Sequence, residues 1–311
     1  MTTDADVVIE PNNTPYVIGV DIGGSAIKLG RFGADGSCHC HQAVSVATPQ
    51  PSTPEAVFGV MAEAIATLDP ENRTLAIGVG TPGPVDPSGQ IAKVAINLAN
   101  WHDVPLGNWL SEKTGKPVIL ANDGNCAGLG EAWLGAGRQF RNLLMLTLGT
   151  GVGGAIILDG KLFTGHTGTA GELGLITLNL YGPECHSGNQ GSLEQHLSVQ
   201  AIQRATRTTP DELGHAAKAG NRQALEFWET YGHQLGAGLA SLIYVFGPEA
   251  IVLGGGISAS AEFFLSATRA EIERRVLPIC RGDLQLVVAE LGNRAGIVGA
   301  AKLAWQRVEV K

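Results

Sequence analysis

A chain of 311 residues has length for two domains and a large core, and 44% hydrophobic against 16% charged residues describe a soluble globular protein with little disorder. The net charge of −8 argues against a nucleic-acid surface, and the longest apolar stretch, Leu235 to Phe246, is too short and glycine-broken to span a bilayer. The N-terminal segment Met1 to Asn13 carries no Lys or Arg and so lacks the basic start of a secretory signal, while five cysteines form no disulfide framework, so a cytoplasmic location is expected.

Strand-like and helix-like runs alternate, the α/β pattern. Tyr16 to Asp21 and Ala26 to Gly33 predict a hairpin. Thr53 predicts a helix cap with Pro54 at the first position, followed by an apolar face of Val57, Phe58, Met61, Ile65 and Leu68. Leu75 to Gly80 reads as a buried strand, Pro105 to Thr114 as a helix closed by Gly115, Val118 to Ala121 as a strand, and Cys126 to Trp133 as a helix crowded with small residues. Leu143 to Gly149 restarts the strand–glycine–strand pattern, so a second domain is expected to begin near Asn122. Leu193 to Arg207 and Asn221 to Phe246 predict helices. Ala250 to Leu253 predicts a strand ending in three glycines, with Ser258 capping the next helix. Leu284 to Glu290 predicts a last strand, and Arg294 to Trp305 a terminal helix folding back on the first domain. The expected division is 1–121 together with 294–311, and 122–293.

Two glycine hairpins of one design, about 125 residues apart, carry most of the functional information. The first is Asp21-Ile22-Gly23-Gly24-Ser25-Ala26-Ile27-Lys28 and the second Leu148-Gly149-Thr150-Gly151-Val152-Gly153-Gly154. Glycine permits a tight turn and leaves the backbone open to a ligand, and exposed amides with a Ser or Thr hydroxyl suit a phosphate chain. Gly149-x-Gly151-x-x-Gly154 formally fits the dinucleotide fingerprint, but that motif must open a helix, whereas Ala155 to Leu158 reads as a strand. No G-x-x-x-x-G-K-[ST] occurs, so the chain is not a P-loop protein. Asn122-Asp123 falls where a strand ends and a helix begins. Asp123 there suits a general base that takes a proton from an attacking hydroxyl, and equally suits a helix cap. Glu172 and Glu194, set among glycines or at a helix start, suit sugar hydroxyls or plain capping.

The ordered blocks Asp21-x-Gly23-Gly24-Ser25, Gly80-Thr81-Pro82-Gly83-Pro84-Val85, Asn122-Asp123, Gly149-Thr150-Gly151-Val152-Gly153-Gly154, Gly171-Glu172-Leu173-Gly174 and Leu253-Gly254-Gly255-Gly256-Ile257 resemble the ROK family of repressors, open reading frames and sugar kinases. The resemblance runs from about Val17 to Trp305. It implies an actin-like, ribonuclease H-like fold of two α/β domains around a cleft, and an ATP-dependent kinase making a hexose 6-phosphate, glucose first among the hexoses. Fructokinase, N-acetylmannosamine kinase and polyphosphate-dependent activities stand as alternatives. By the resemblance Asp123 is the catalytic base, and Gly80, Asn100, Asn122, Glu172 and Glu194 join it in holding the sugar. Gly23, Gly24, Ser25, Lys28, Gly149, Thr150, Gly151, Gly254 and Gly255 line the nucleotide, and Asp21 holds Mg2+ and phosphate. It also implies a homodimer.

Family repressors carry a DNA-binding domain ahead of the first hairpin. Only some sixteen residues precede that strand here, so a sugar sensor without DNA binding is the remaining non-enzyme alternative. One departure is plain. The family's zinc site takes a His after Gly-Glu-Leu-Gly and then Cys-x-Cys-Gly-x-x-Gly-Cys. Here Leu175, Ser187 and Ser192 replace three of those ligands and only Cys185 remains, so no structural zinc is expected. Cys38-His39-Cys40-His41 is a poor alternative, because alternation along a strand splits thiols and imidazoles between opposite faces.

Overall fold

In the computed structural model, which describes residues 14–38, 44–95 and 98–309, two five-stranded sheets of like topology lie along the chain. The first half runs β1 (Val17–Ile22), β2 (Ala26–Phe32), β3 (Val44–Ala47), α1 (Pro54–Leu68), β4 (Ile77–Thr81), β5 (Ala92–Val94), β6 (His102–Val104), α2 (Leu106–Thr114), β7 (Val118–Asn122) and α3 (Asp123–Leu134). The second runs β8 (Leu143–Leu148), β9 (Val152–Leu158), β10 (Lys161–Leu162), α4 (Leu193–Leu197), α5 (Val199–Thr206), α6 (Pro210–Lys218), α7 (Arg222–Phe246), β11 (Ala250–Gly254), α8 (Ala261–Arg275), α9 (Pro278–Arg281), β12 (Gln285–Val288) and α10 (Ala295–Glu309). The strand orders, β3-β2-β1-β4-β7 and β10-β9-β8-β11-β12, are the same pattern repeated. The Cys38–His41 motif lies outside the described residues beyond Cys38 itself.

In each sheet an antiparallel hairpin leads and two parallel strands follow: β1, β4 and β7 run together, as do β8, β11 and β12. Parallel strands bring their carboxyl ends to one edge, where α/β proteins bind ligands. Their continuous apolar sequence follows from burial on both faces: Val17, Ile18, Val20 and Ile22 of β1 are all buried. In the second half α7 turns Trp228, Tyr231, Leu235, Leu239 and Ile243 onto the sheet, each fully buried Leu or Ile contributing about 1.5–3 kcal/mol. Asn221 caps its start by accepting from the Ala224 amide, and Gly247 ends it in the left-handed conformation.

Helices α3 and α10 cross at very short range. A side chain at Gly299 would overlap the Cys126 carbonyl, and one at Gly130 would overlap that of Ala295. Helix α10 also packs Ile297, Val298, Ala301 and Trp305 against Val17, Phe32 and Ala76. The fully buried Glu131 fixes the end of α3: its carboxylate accepts from Ala136 N (2.9 Å), Glu290 N (3.1 Å) and Leu291 N (2.8 Å). Among the described residues no helix is long and apolar enough to cross a membrane.

Several predicted boundaries change. The helix expected over Leu193 to Arg207 breaks at Ser198, whose extended backbone lets its hydroxyl cap Ala201 N while Val199 N turns to the Gly149 carbonyl at 2.8 Å. Ser258 caps nothing: its hydroxyl donates to Gly255 O within a tight turn, and α8 begins at Ala261. The last strand is shorter than Leu284 to Glu290, because Glu290 N is already committed to Glu131.

Candidate active site

The predicted residues sit mainly at the carboxyl ends of the parallel strands. Asp21 lies near the end of β1, beside Gly80 of β4 and opposite Lys28 of β2. Gly80 in turn pairs with Ala121 of β7, and Thr81 with Asn122. Asn122 is the cap of α3: its Oδ1 accepts from Gly124 N (2.9 Å) and Asn125 N (3.2 Å), and its Nδ2 donates to Gly83 O (3.2 Å). Capping therefore falls to Asn122. Asp123, the first residue of α3, is held only by its immediate neighbours, accepting from Gly124 N at 2.8 Å and from the Asn122 side chain, and it stands at the surface of the cleft.

Around it stand other acids. Desolvation first, then the nearby Asp123 charge, raises the Asp21 pKa to about 6, against an opposing pull from Lys28. Asp123 is raised as well, chiefly by desolvation, with hydrogen bonds from Gly124 and Asn122 working the other way. Glu172 is raised by desolvation and then by the charges of Asp123 and Glu194. These four carboxylates thus form one electrostatic neighbourhood. Such repulsion persists in native proteins mainly where a ligand, a cation or a proton transfer uses it.

Glu194 does more than its sequence position suggests. Its Oε2 accepts from Val152 N at 2.9 Å, so it pins the second glycine turn, and any side chain at Gly151 would run into that oxygen. Gly149 and Thr150 are left open at the tip. Gly254 pairs with Thr147 across β11 and β8, and Gly255, at φ 85°, lies against the Leu148 peptide, where a side chain would clash. These glycines of the second sheet are thereby brought together. In the first hairpin Gly24 and Ser25 are exposed, Gly23 O accepts from the buried Thr48 hydroxyl (2.6 Å), and Ser25 O accepts from Thr48 N (3.1 Å). Lys28 Nζ donates to Asn293 O at 3.4 Å, joining this turn to the start of α10.

Asn100 stands apart: it occupies an exposed turn at φ 63°, and no hydrogen bond ties its side chain to the acids among the described residues. Two participants escaped the sequence. Gly296 faces Asp21, and a Cβ there would lie 2.7 Å from the carboxylate carbon, so a glycine is what lets the acid sit against α10. Asn125, two residues beyond Asp123 on α3, is buried with its Oδ1 unpartnered. A cavity of about 530 Å³ between Asp86, Ile119, Lys161 and Leu303 shares only Asn122 with the predicted residues.

The loop at the family's zinc position offers a different set of donors. Cys185 Sγ accepts from the Ser187 hydroxyl at 3.2 Å, Ser192 is fully buried as the cap of α4, and Leu175 offers only its carbonyl, to Asn189 Nδ2 at 2.7 Å. Hydroxyls and leucine do not supply the closed thiolate–imidazole set that structural zinc requires. The donors do not fit that group.

The repeated sheets, each with its glycine turn, and the acids gathered at the strand ends define a two-domain α/β protein of the actin-like class. The ROK family model matches residues 17–307, and the chain belongs to the ROK family. It is 34% identical over 312 residues to a glucokinase of Thermotoga maritima, covering 94% of this chain and 98% of that one. Among solved structures it resembles a ROK hexokinase from Thermus thermophilus, with a TM-score of 0.84 at 35% identity over 95% of this chain and 100% of the other. A Streptomyces griseus ROK glucokinase in complex with glucose and AMPPNP matches with a TM-score of 0.75 at 33% identity, over 94% and 99% of the two chains.

Proposed function

We propose that this protein is an ATP-dependent hexose kinase that converts glucose to glucose 6-phosphate, with Asp123 as general base. The observation that carries the proposal is the carboxylate group Asp21, Asp123, Glu172 and Glu194 at the strand ends, with Asp123 relieved of capping by Asn122. The likeness to glucokinases over nearly the whole chain supports glucose as the hexose.

In this account the sugar's 6-hydroxyl oxygen attacks the γ-phosphorus of ATP, and the bond from that phosphorus to the β–γ bridging oxygen breaks. The proton of the hydroxyl passes to the Asp123 carboxylate, and ADP departs with the bridging oxygen. Such transfer depends on positioning and charge stabilisation more than on covalent chemistry. Glu172, Glu194, Asn122, Asn100 and the Gly80 backbone hold the sugar hydroxyls. Gly23, Gly24, Ser25 and Lys28 on one side, with Gly149, Thr150, Gly151, Gly254 and Gly255 on the other, hold the nucleotide through exposed amides and hydroxyls. Asp21 is an oxygen donor of the kind Mg2+ prefers, and that ion neutralises phosphate charge when bound. Bodies 1–121 with 294–311, and 122–293, close over the sugar, since water left in the cleft would compete as acceptor. The protein works in the cytoplasm as a homodimer and needs no structural zinc.

A coupled assay over a panel of hexoses and phosphate donors tests the proposal. Turnover with ATP and glucose above fructose, N-acetylmannosamine and polyphosphate is the expected pattern. Absence of ADP formation with every hexose refutes it.

A further inference from the structure

The loop that does not fit the family's zinc nevertheless gathers three metal-ligating side chains. Cys185 Sγ, His186 and a Glu194 carboxylate oxygen all lie within 4.8 Å of one another, the sole such group of three found among the described residues. His186 Nδ1 stands 4.0 Å from the sulfur and 3.9 Å from Glu194 Oε1. In a tetrahedral zinc site, bonds of about 2.0–2.3 Å place donors roughly 3.5 Å apart, so His186 needs to draw in by about 0.5 Å and no pair by more than about 1.3 Å. The movement is available. The His186 side chain is 69% exposed and free to turn, whereas Glu194 is anchored through its other oxygen, Oε2, on Val152 N.

We propose that Cys185, His186 and Glu194 form a site for a thiophilic divalent cation, Zn2+ or Cd2+, whose occupancy competes with the hexose by taking Glu194 Oε1. The second half rests on the assignment of Glu194 to the sugar. This differs from the family's zinc in ligands and in consequence: two of the three donors, His186 and Glu194, are not family zinc ligands, the fourth position stays open, and the bound ion blocks the enzyme instead of bracing it. Thiolate with imidazole selects such ions over Mg2+, so the ion that accompanies ATP leaves the site empty. The Cys185 thiol gives its proton to solvent as the metal–sulfur bond forms.

Chelator-treated, nucleotide-free protein is titrated with Cd2+, and the ultraviolet thiolate-to-metal charge-transfer band is followed with and without saturating glucose. The expected result is one Cd2+ per chain, a band absent in Cys185→Ser, affinity at least about tenfold weaker in His186→Ala, and glucose displacing the ion. His186→Ala, altered at an exposed residue outside the sugar and nucleotide sets, retains its uninhibited turnover. No band in the unmodified protein, or a band untouched by His186→Ala, overturns the site. A full band that glucose does not displace, in a protein that phosphorylates glucose normally, removes Glu194 from the sugar set and overturns the competition while the glucokinase assignment stands.

Discussion

Asp21 is proposed to serve the reaction at a cost to the fold, and Asp21→Asn exposes that cost. Its pKa is raised from 3.8 to about 6 by desolvation and by the Asp123 charge, with Lys28 opposing. A raised carboxylate pKa means the folded state binds its proton more tightly than the unfolded state, so stability is full below the unfolded value and is lost as pH rises through the folded one. A shift of about 2 units at 1.36 kcal/mol each corresponds to about 3 kcal/mol of stability forgone at neutral pH. An amide of the same shape removes the charge. Asp21→Asn should therefore abolish most turnover yet unfold at higher denaturant than the unmodified protein at pH 8, by up to about 3 kcal/mol. The gain should shrink between pH 6 and pH 4, where Asp21 becomes protonated anyway. Chemical denaturation in the presence of chelator, at several pH values across that range, measures it. A variant less stable at pH 8, or a difference that does not change with pH, refutes the electrostatic argument.

Two further outcomes follow from packing and from the altered loop. Gly299→Ala places a methyl group where α3 offers the Cys126 carbonyl, with Gly130 N only 2.8 Å away; it should lose about 3 kcal/mol in denaturant unfolding, and an unchanged midpoint would show that the helices can part freely. Chelation followed by restoration of Mg2+ should leave both melting temperature and kcat unchanged, because Ser187, Ser192 and Asn189 close the loop by hydrogen bonds; stoichiometric zinc retained in active, chelator-washed protein would contradict this.

What the sequence revealed and what it hid divide along physical lines. The hairpins were legible because glycine turns between apolar strands form a local signal, and β1 with β2 and β8 with β9 pair in direct register around them. Thr53 and Gly115 were legible as caps for the same reason. The break at Ser198 was not, since it depends on Val199 N reaching the Gly149 carbonyl some fifty residues away in sequence. Short strands such as β5 and β10 lack the length to show a period. Helix α6 did carry a signal, the Thr209–Glu212 capping box, that the apolar pattern alone overlooked. At the site, residue types suggested chemistry but not partners. That Asn122 rather than Asp123 caps α3 is decided locally, but Asn and Asp side by side suit a cap equally; that Glu194 grips Val152 N and that Gly296 makes room for Asp21 are tertiary facts with no local trace.

The central claim, that Asp123 takes the proton of a hexose hydroxyl, is tested most directly by Asp123→Asn. Because Asn122 holds the cap and the Asp123 charge is itself disfavoured by desolvation, the variant should fold with a melting temperature no lower than that of the unmodified protein and bind glucose within a few-fold of normal. Its kcat for ADP formation should fall on the order of 10²–10⁴-fold. A folded Asp123→Asn protein that keeps near-native kcat would place the base elsewhere and contradict the account.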